Sequence, residues 1–250
     1  MPPQGDLQIV RVSLFVPCLV DQLYPEVAFS TFKLLRDLDV NVVYPDTQTC
    51  CGQPAYNAGH WKEAVPPAEH FLQVFRHSEY VVSPSGSCVS MVRNFYRTLP
   101  LNEDSMKILE TLEGRVYELT EFLVRILKIT SLGAVFNHRV TYHDSCHLLR
   151  ELGVREEPRE ILKRVEGIDF VEMDGSEECC GLGGVFSQKH RHLASDVAAS
   201  KLCKASETGA EFVAACDAGC IQHMETAARK TGKKIKPIHI VSILRPGDGM

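Results

Sequence analysis

Short apolar runs rich in valine alternate along this chain with longer stretches whose apolar residues recur every three or four positions. The first pattern predicts buried strands and the second predicts amphipathic helices. Residues 7–16 (LQIVRVSLFV) read as a strand that Pro17 breaks, leaving Cys18 at its carboxyl end. Pro25 suits the first turn of a helix over 25–38, with Val27, Phe29, Phe32, Leu35 and Leu38 on its apolar side. Residues 40–44 are a second strand leading to Cys50-Cys51-Gly52. A helix is predicted over 61–77, kinked or restarted at Pro66 and Pro67. Residues 79–83 form a third strand that runs into Pro84-Ser85-Gly86-Ser87-Cys88. Residues 101–128 carry the clearest helical periodicity, through Ile108, Leu109, Leu112, Val116, Leu119, Phe122, Leu123, Ile126 and Leu127.

The second half of the chain repeats this plan. A strand over 139–143 leads into Asp144-Ser145-Cys146-His147, a short helix over 159–165 follows Pro158, and 168–173 form a strand. After a polar turn come Cys179-Cys180-Gly181-Leu182-Gly183-Gly184 and a long helix over 186–207, with Leu193, Val197 and Leu202 on one side. Residues 210–215 are a strand ending in Cys216-Asp217-Ala218-Gly219-Cys220, and 236–244 close the chain as a strand and short helix. Strand–helix alternation of this kind predicts an α/β protein built from two tandem, pseudo-symmetric, Rossmann-like units with parallel sheets, over 7–131 and 132–246. Each unit is expected to bind at the carboxyl edge of its strands.

Counting supports the repeat. Cys18 to Cys50 spans 32 positions and Cys146 to Cys179 spans 33. Val82 to Cys88 aligns with Ala214 to Cys220, which sets Pro84 over Cys216. The first half therefore holds four cysteines (Cys18, Cys50, Cys51, Cys88) and the second five (Cys146, Cys179, Cys180, Cys216, Cys220). Cys203 falls outside the scheme and is expected to be a small core residue.

Composition narrows the chemistry. The chain has 250 residues, 44% hydrophobic and 24% charged, with a net charge of −5, enough apolar material for a proper core. No basic stripe suggests nucleic acid, no apolar run is long enough to insert in a membrane, and the first residues do not resemble a signal peptide. A cytoplasmic location is expected, where thiols stay reduced and ten cysteines point to metal or redox chemistry rather than to disulfides.

Thiolates at strand ends make an iron–sulfur cluster the first candidate for both halves. Zinc is the alternative, chiefly in the first half, although neither half has paired Cys-x-x-Cys knuckles, and dithiol redox chemistry is a further one. Gly52 and Gly181 let the backbone approach such a cofactor, and Gly183 and Gly184 add N–H donors ahead of a helix. His143 and His147 bracket Cys146, either as proton donor or supporting partner, or as surface and cap residues. The glycines after Cys180 do not match a dinucleotide fingerprint.

Two copies of a cysteine, an adjacent cysteine pair with glycine, and a distal cysteine resemble the cysteine-rich "CCG" domain family. That family includes the cysteine-rich subunit of heterodisulfide reductase, the iron–sulfur subunits of glycolate oxidase and anaerobic glycerol-3-phosphate dehydrogenase, and lactate-utilisation proteins. The resemblance covers residues 10–244 and is carried by the strings SLFVPCLVD, QTCCGQPAYN, SPSGSC, YHDSCH and CCGLGG. It implies two CCG domains in an oxidoreductase subunit of an L-lactate oxidation system, working with a ferredoxin-like iron–sulfur partner and a third lactate-utilisation protein. It implies [4Fe-4S] clusters, with a non-cubane cluster on Cys146, Cys179, Cys180, Cys216 and Cys220. Pro84 departs from the pattern where the fifth ligand would stand in the first half, which leaves that site to a different cluster, another metal or none. The wider family also admits a thiol or heterodisulfide reductase.

Overall fold

Eight strands arrange themselves in two parallel sheets of four, as seen in a computed structural model that describes residues 10–245. The first sheet has strand order β2-β1-β3-β4, from Asn41–Val43, Arg11–Leu14, Tyr80–Ser83 and Val116–Glu118. The second repeats it as β6-β5-β7-β8, from Asp169–Phe170, Arg139–Tyr142, Phe212–Ala215 and Lys236–His239. All neighbours pair in parallel, so every connection within a sheet is a crossover, and each contains a helix. The α/β class and the two Rossmann-like sheets match expectation. Residues 7–9 of the predicted first strand lie outside the described residues, as does position 246.

In the first half, α1 (Cys18–Leu23) and α2 (Pro25–Asp37) follow β1, and α3 (Gln53–Asn57) and α4 (Trp61–Phe75) follow β2. On α2 the buried positions are Val27, Ser30, Thr31, Leu34 and Leu35, a helical stripe, while Phe29 turns out to be 68% exposed. Helix α4 buries Ala64, Ala68, Phe71, Leu72 and Phe75 and runs unbroken through Pro66 and Pro67. The carbonyls that the two prolines leave without N–H partners belong to Lys62 and Glu63, both exposed residues, so water can satisfy them. Phe71 and Phe75 meet Phe15 edge-on at 5.0 and 5.7 Å to form the centre of this half's core.

The predicted helix over 101–128 is corrected by the structure. Helix α5 (Gly86–Ser90), with its continuation through Met91–Phe95, precedes α6 (Glu103–Leu112), which gives way to a tight turn at Gly114 and then to β4. The chain turns helical again only in α7 (Leu119–Glu121) and Phe122–Ile126. Leu109, Leu112, Val116, Leu119 and Phe122 are all buried, so the three- and four-residue spacing reported burial rather than one continuous helix.

The second half carries α8 (Glu156–Leu162), α9 (Val185–Lys189), α10 (Arg191–Glu207), α11 (Ala218–Thr231) and α12 (Ile240–Leu244). The long helix expected over 186–207 is broken at His190, whose backbone (φ −124°, ψ 54°) leaves the helical region. Its buried face is Ala194, Ala198, Lys201, Leu202 and Ala205; Leu193 is 55% exposed, and Cys203 is exposed rather than in the core. Helix α11 was not anticipated. Its Asp217 N-cap and left-handed Gly232 C-cap are the sequence signals that mark it.

The carboxyl edges of the two sheets meet. Gly86 N–H donates to the Cys216 carbonyl at 3.3 Å, and Ser87 N–H donates to Asp217 Oδ2 at 2.8 Å, joining the ends of β3 and β7. A Cβ on Gly86 would lie 2.7 Å from Leu148 Cβ, so this contact needs glycine. His239 at the end of β8 bonds the Pro84 carbonyl at 3.0 Å, and α12 packs on α2 of the other half. No helix among the described residues is long and apolar enough to cross a membrane.

Candidate metal centre

Parallel strands deliver every loop that carries a scheme cysteine to the same edge, and there the thiols gather in two groups. In the first, Cys18 opens α1, Cys50 and Cys51 precede α3, and Cys88 lies in α5. Cys18 Sγ lies 3.7 Å from Cys50 Sγ, and Cys51 Sγ lies 3.4 Å from Cys88 Sγ. Gly52 adopts φ +83°, and its N–H donates to Cys50 Sγ at 3.4 Å. A Cβ there would press on Ala64 O at 3.1 Å and Pro67 Cγ at 3.2 Å, so the loop lies flat on α4 only because the residue is glycine.

The second group repeats this with Cys146, Cys179, Cys180 and Cys220. Thiol contacts link Cys146 to Cys179 and Cys180 to Cys220. Gly181 (φ +90°) donates its N–H to Cys179 Sγ at 3.2 Å, and a Cβ would meet Ala194 O of α10 at 2.5 Å. Gly183 and Gly184 line the adjoining cavity with positive φ, but the helix after them, α9, has only five residues and offers little dipole.

Negative charge settles on equivalent sulfurs. Hydrogen bonds from Cys18 and Cys51 hold Cys50 as a thiolate, its pKa pushed down to about 3, while the same pairing and burial push Cys18 and Cys51 up. Cys146 and Cys180 likewise hold Cys179 well below the usual thiol range. Cys180 brings Cys220 down to about 6 against its burial, with His143 adding to the effect. The glycine N–H thus points in each half at the sulfur that carries the charge.

Cys216 stands apart. It is fully buried at the end of β7, where its sulfur meets the Tyr142 hydroxyl at 3.2 Å and the Thr120 hydroxyl. Burial and the nearby Glu118 carboxylate push its thiol well up. Asp217 and Ser85 occupy matching places as N-caps of the helices that carry Cys220 and Cys88, and they bond each other across the interface at 3.4 Å. His143 is fully buried with neither ring nitrogen bonded, and its ligand atom lies within 4.8 Å of Cys180 Sγ and Cys220 Sγ. His147 is half-buried, with Nδ1 3.6 Å from Cys146 Sγ.

Sequence reasoning did not single out the groups that hold the second cysteine loop. Arg159, buried over the Tyr142 ring, makes a bidentate pair with Asp144 at 2.7 and 2.8 Å and reaches Glu172 at 2.6 Å. Burial pushes the Asp144 carboxyl up, and the guanidinium outweighs it, so the carboxyl is held below its usual range. Lys201, 1% exposed, donates to the carbonyls of Gly175 and Ser176 just ahead of Cys179, and burial lowers its pKa. In the first half a neutral side chain does this work: Gln48 binds the Leu14 and Pro45 carbonyls and the Val16 N–H.

Two cavities open at the groups, about 380 Å³ beside the second and about 130 Å³ beside the first. Both are lined by Leu19, Gln53, Pro54, Ser87, Asp217 and Gly219, so the groups are neighbours across the sheet interface. Four converging, partly ionised thiols with backbone N–H donors and no disulfide among them suit an iron–sulfur cluster in each half.

Comparison with known proteins gives the same pattern. The family described as "Cysteine-rich domain" (CCG) matches residues 12–93 and again 140–225. "Lactate utilization protein A" of Oceanobacillus iheyensis is 41% identical over 235 residues, covering 94% of this chain and 96% of that protein. The protein of the same name from Bacillus subtilis is 40% identical over 238 residues, covering 94% and 99%. A hypothetical protein from Helicobacter pylori, at 11% identity, shares the fold with a TM-score of 0.58 over 96% of this chain, which spans 49% of that structure.

Proposed function

Because the chain belongs to the cysteine-rich CCG domain family, we propose that it is an iron–sulfur electron-transfer subunit of a system that oxidises L-lactate to pyruvate. The observation that carries this reading is the pair of four-thiol cradles facing one another across the sheet interface. Cys18, Cys50, Cys51 and Cys88 would hold one [4Fe-4S] cluster, and Cys146, Cys179, Cys180 and Cys220 another. Such clusters supply one-electron redox chemistry when bound; the chain supplies burial, the N–H donors of Gly52 and Gly181, and exclusion of water.

The cavity beside the second cradle is lined by amides and hydroxyls (Gln53, Asn57, Ser87, Ser145, Ser187, Gln188), and none of its described lining residues is a lysine or arginine. A carboxylate substrate is ordinarily gripped by such cations. On this reading the subunit receives electrons from lactate oxidised on a partner; His147 also lines the cavity. The partners on this reading are a ferredoxin-type iron–sulfur protein and a third lactate-utilisation protein in the cytoplasm, and the oxidoreductase works as a complex.

Iron, acid-labile sulfide and zinc per chain in anaerobically purified protein test the reading first. About eight irons and eight sulfides per chain are expected, one cluster for each cradle. Zinc without sulfide would end it and leave a metal-stabilised scaffold. Loaded protein mixed with its partners should then be reduced by lactate; reduction by dithiols alone would favour a heterodisulfide-reductase chemistry instead.

A further inference from the structure

The repeat allows the two cradles to be compared position by position. Phe15 N–H donates to the Val82 carbonyl and His143 N–H to the Ala214 carbonyl, both at 2.9 Å, so the two residues hold the same place just past β1 and β5. Phe15 fits there as an apolar core residue, packed on Phe71 and Phe75. His143 is just as buried, yet both ring nitrogens lack a hydrogen-bond partner. Buried polar groups are almost always satisfied, because a dry, unpaired imidazole has given up its bonds to water and gained nothing in return. The protein group that reaches the ring is the Cys220 thiol, a weak partner that leaves most of the imidazole's bonding capacity open. The nearest chemistry is the pair of sulfurs from Cys180 and Cys220, which lie with the imidazole inside a sphere the size of a metal site. Cys216, the other candidate for a fifth donor, is engaged with Tyr142 and Thr120.

We propose that His143 is a direct imidazole ligand to iron in the second centre, which is then held by four thiolates and one histidine, while the first centre is held by four thiolates alone. This rests on the iron–sulfur reading above. A neutral imidazole adds a donor without adding negative charge. The second centre therefore has a higher reduction potential than it would have with cysteine in that place, by the effect that histidine ligands have in other clusters. The two halves, alike in fold, would then hold centres of different ligation.

Pulsed electron paramagnetic resonance on the full chain, loaded anaerobically with iron and sulfide, tests the ligand. The paramagnetic state of the second centre is expected to show the nitrogen coupling of a bound imidazole. Labelling with 15N-histidine should convert that coupling. His143→Phe, which copies the first half, should abolish it while the first centre's iron stays bound. His147→Ala and His223→Ala should keep it, and loss of the coupling in either overturns the assignment even if His143→Phe fails to load. A loaded second centre with no histidine coupling, or a coupling that survives His143→Phe, overturns the ligand assignment but leaves the clusters in place. Wild-type protein that takes up no iron and sulfide overturns the electron-transfer reading and the assignment with it.

Discussion

Cys216 and Cys220 are four positions apart and end in different surroundings. Cys216 closes β7 and points into the interface, whereas Cys220 lies in the first turn of α11 and points to the cradle. The family resemblance implied both as ligands; the switch from strand to helix between them separates their directions. Cys216→Ala is expected to leave the iron content unchanged and to lower stability by about 1–2 kcal/mol, because the buried Tyr142 hydroxyl loses its partner. Metal analysis and urea denaturation check both parts. Glu118 gives a pH prediction. Its carboxyl is fully buried at the head of α7, and burial pushes its pKa up to about 8 despite the hydrogen bonds it accepts from Thr120 and Glu121. Its pKa is raised on folding, so the native state binds the extra proton between ~4.3, the unfolded value, and about 8. The stability that goes with this proton is complete below the lower value and is lost as pH rises through the upper one. Glu118→Gln should therefore gain stability relative to wild type across that window, and parallel melting curves from pH 5 to pH 9 would show no change in the difference if the carboxyl is ionised throughout.

At the scale of elements, the strands and the helices on their flanks were legible because burial imposes a period on each. Where two elements bury the same side in succession, the period runs on without a break. That is why α6, β4 and α7 looked like one helix, and why Gly114 was the only local mark of the turn. Helix α11 was hidden for the opposite reason: its buried face is mostly small residues, Ala218, Gly219, Ala227 and Ala228, with only Ile221 and Met224 to set a period. The cysteine loops are held by close backbone approach to the helices beneath them. Gly181→Ala should cost about 2–3 kcal/mol and empty the second centre first, since its Cβ would meet the Ala194 carbonyl at 2.5 Å from a left-handed backbone. Gly52→Ala, with its nearest contact at 3.1 Å, should cost less. Equal losses of iron in the two variants would show that the approach to α10 does not govern the loop.

For the whole molecule, the joined carboxyl edges matter most. One continuous core includes Val12, Phe15 and Leu35 from the first half with Tyr142, Ala214 and Ile243 from the second, and Glu118, Tyr142, Thr120 and Asp217 are buried where the halves meet. Neither sheet edge can leave the other without exposing this surface and its polar groups. A single calorimetric transition is expected, with van't Hoff and calorimetric enthalpies in agreement; two resolved transitions would mean that the halves are energetically separate. The sequence by itself determined the α/β class, the duplication and the placing of the scheme cysteines after strand ends, because strand periodicity and cysteine spacing are local and survive without neighbours. Only the tertiary structure decided that the two edges face each other, that Cys216 turns away while His143 turns in, and that Arg159 and Lys201 hold one loop where Gln48 holds the other. Those outcomes depend on which residues, far apart in sequence, come together at one place, and on a strand register in which a shift of one position sends a side chain to the opposite face.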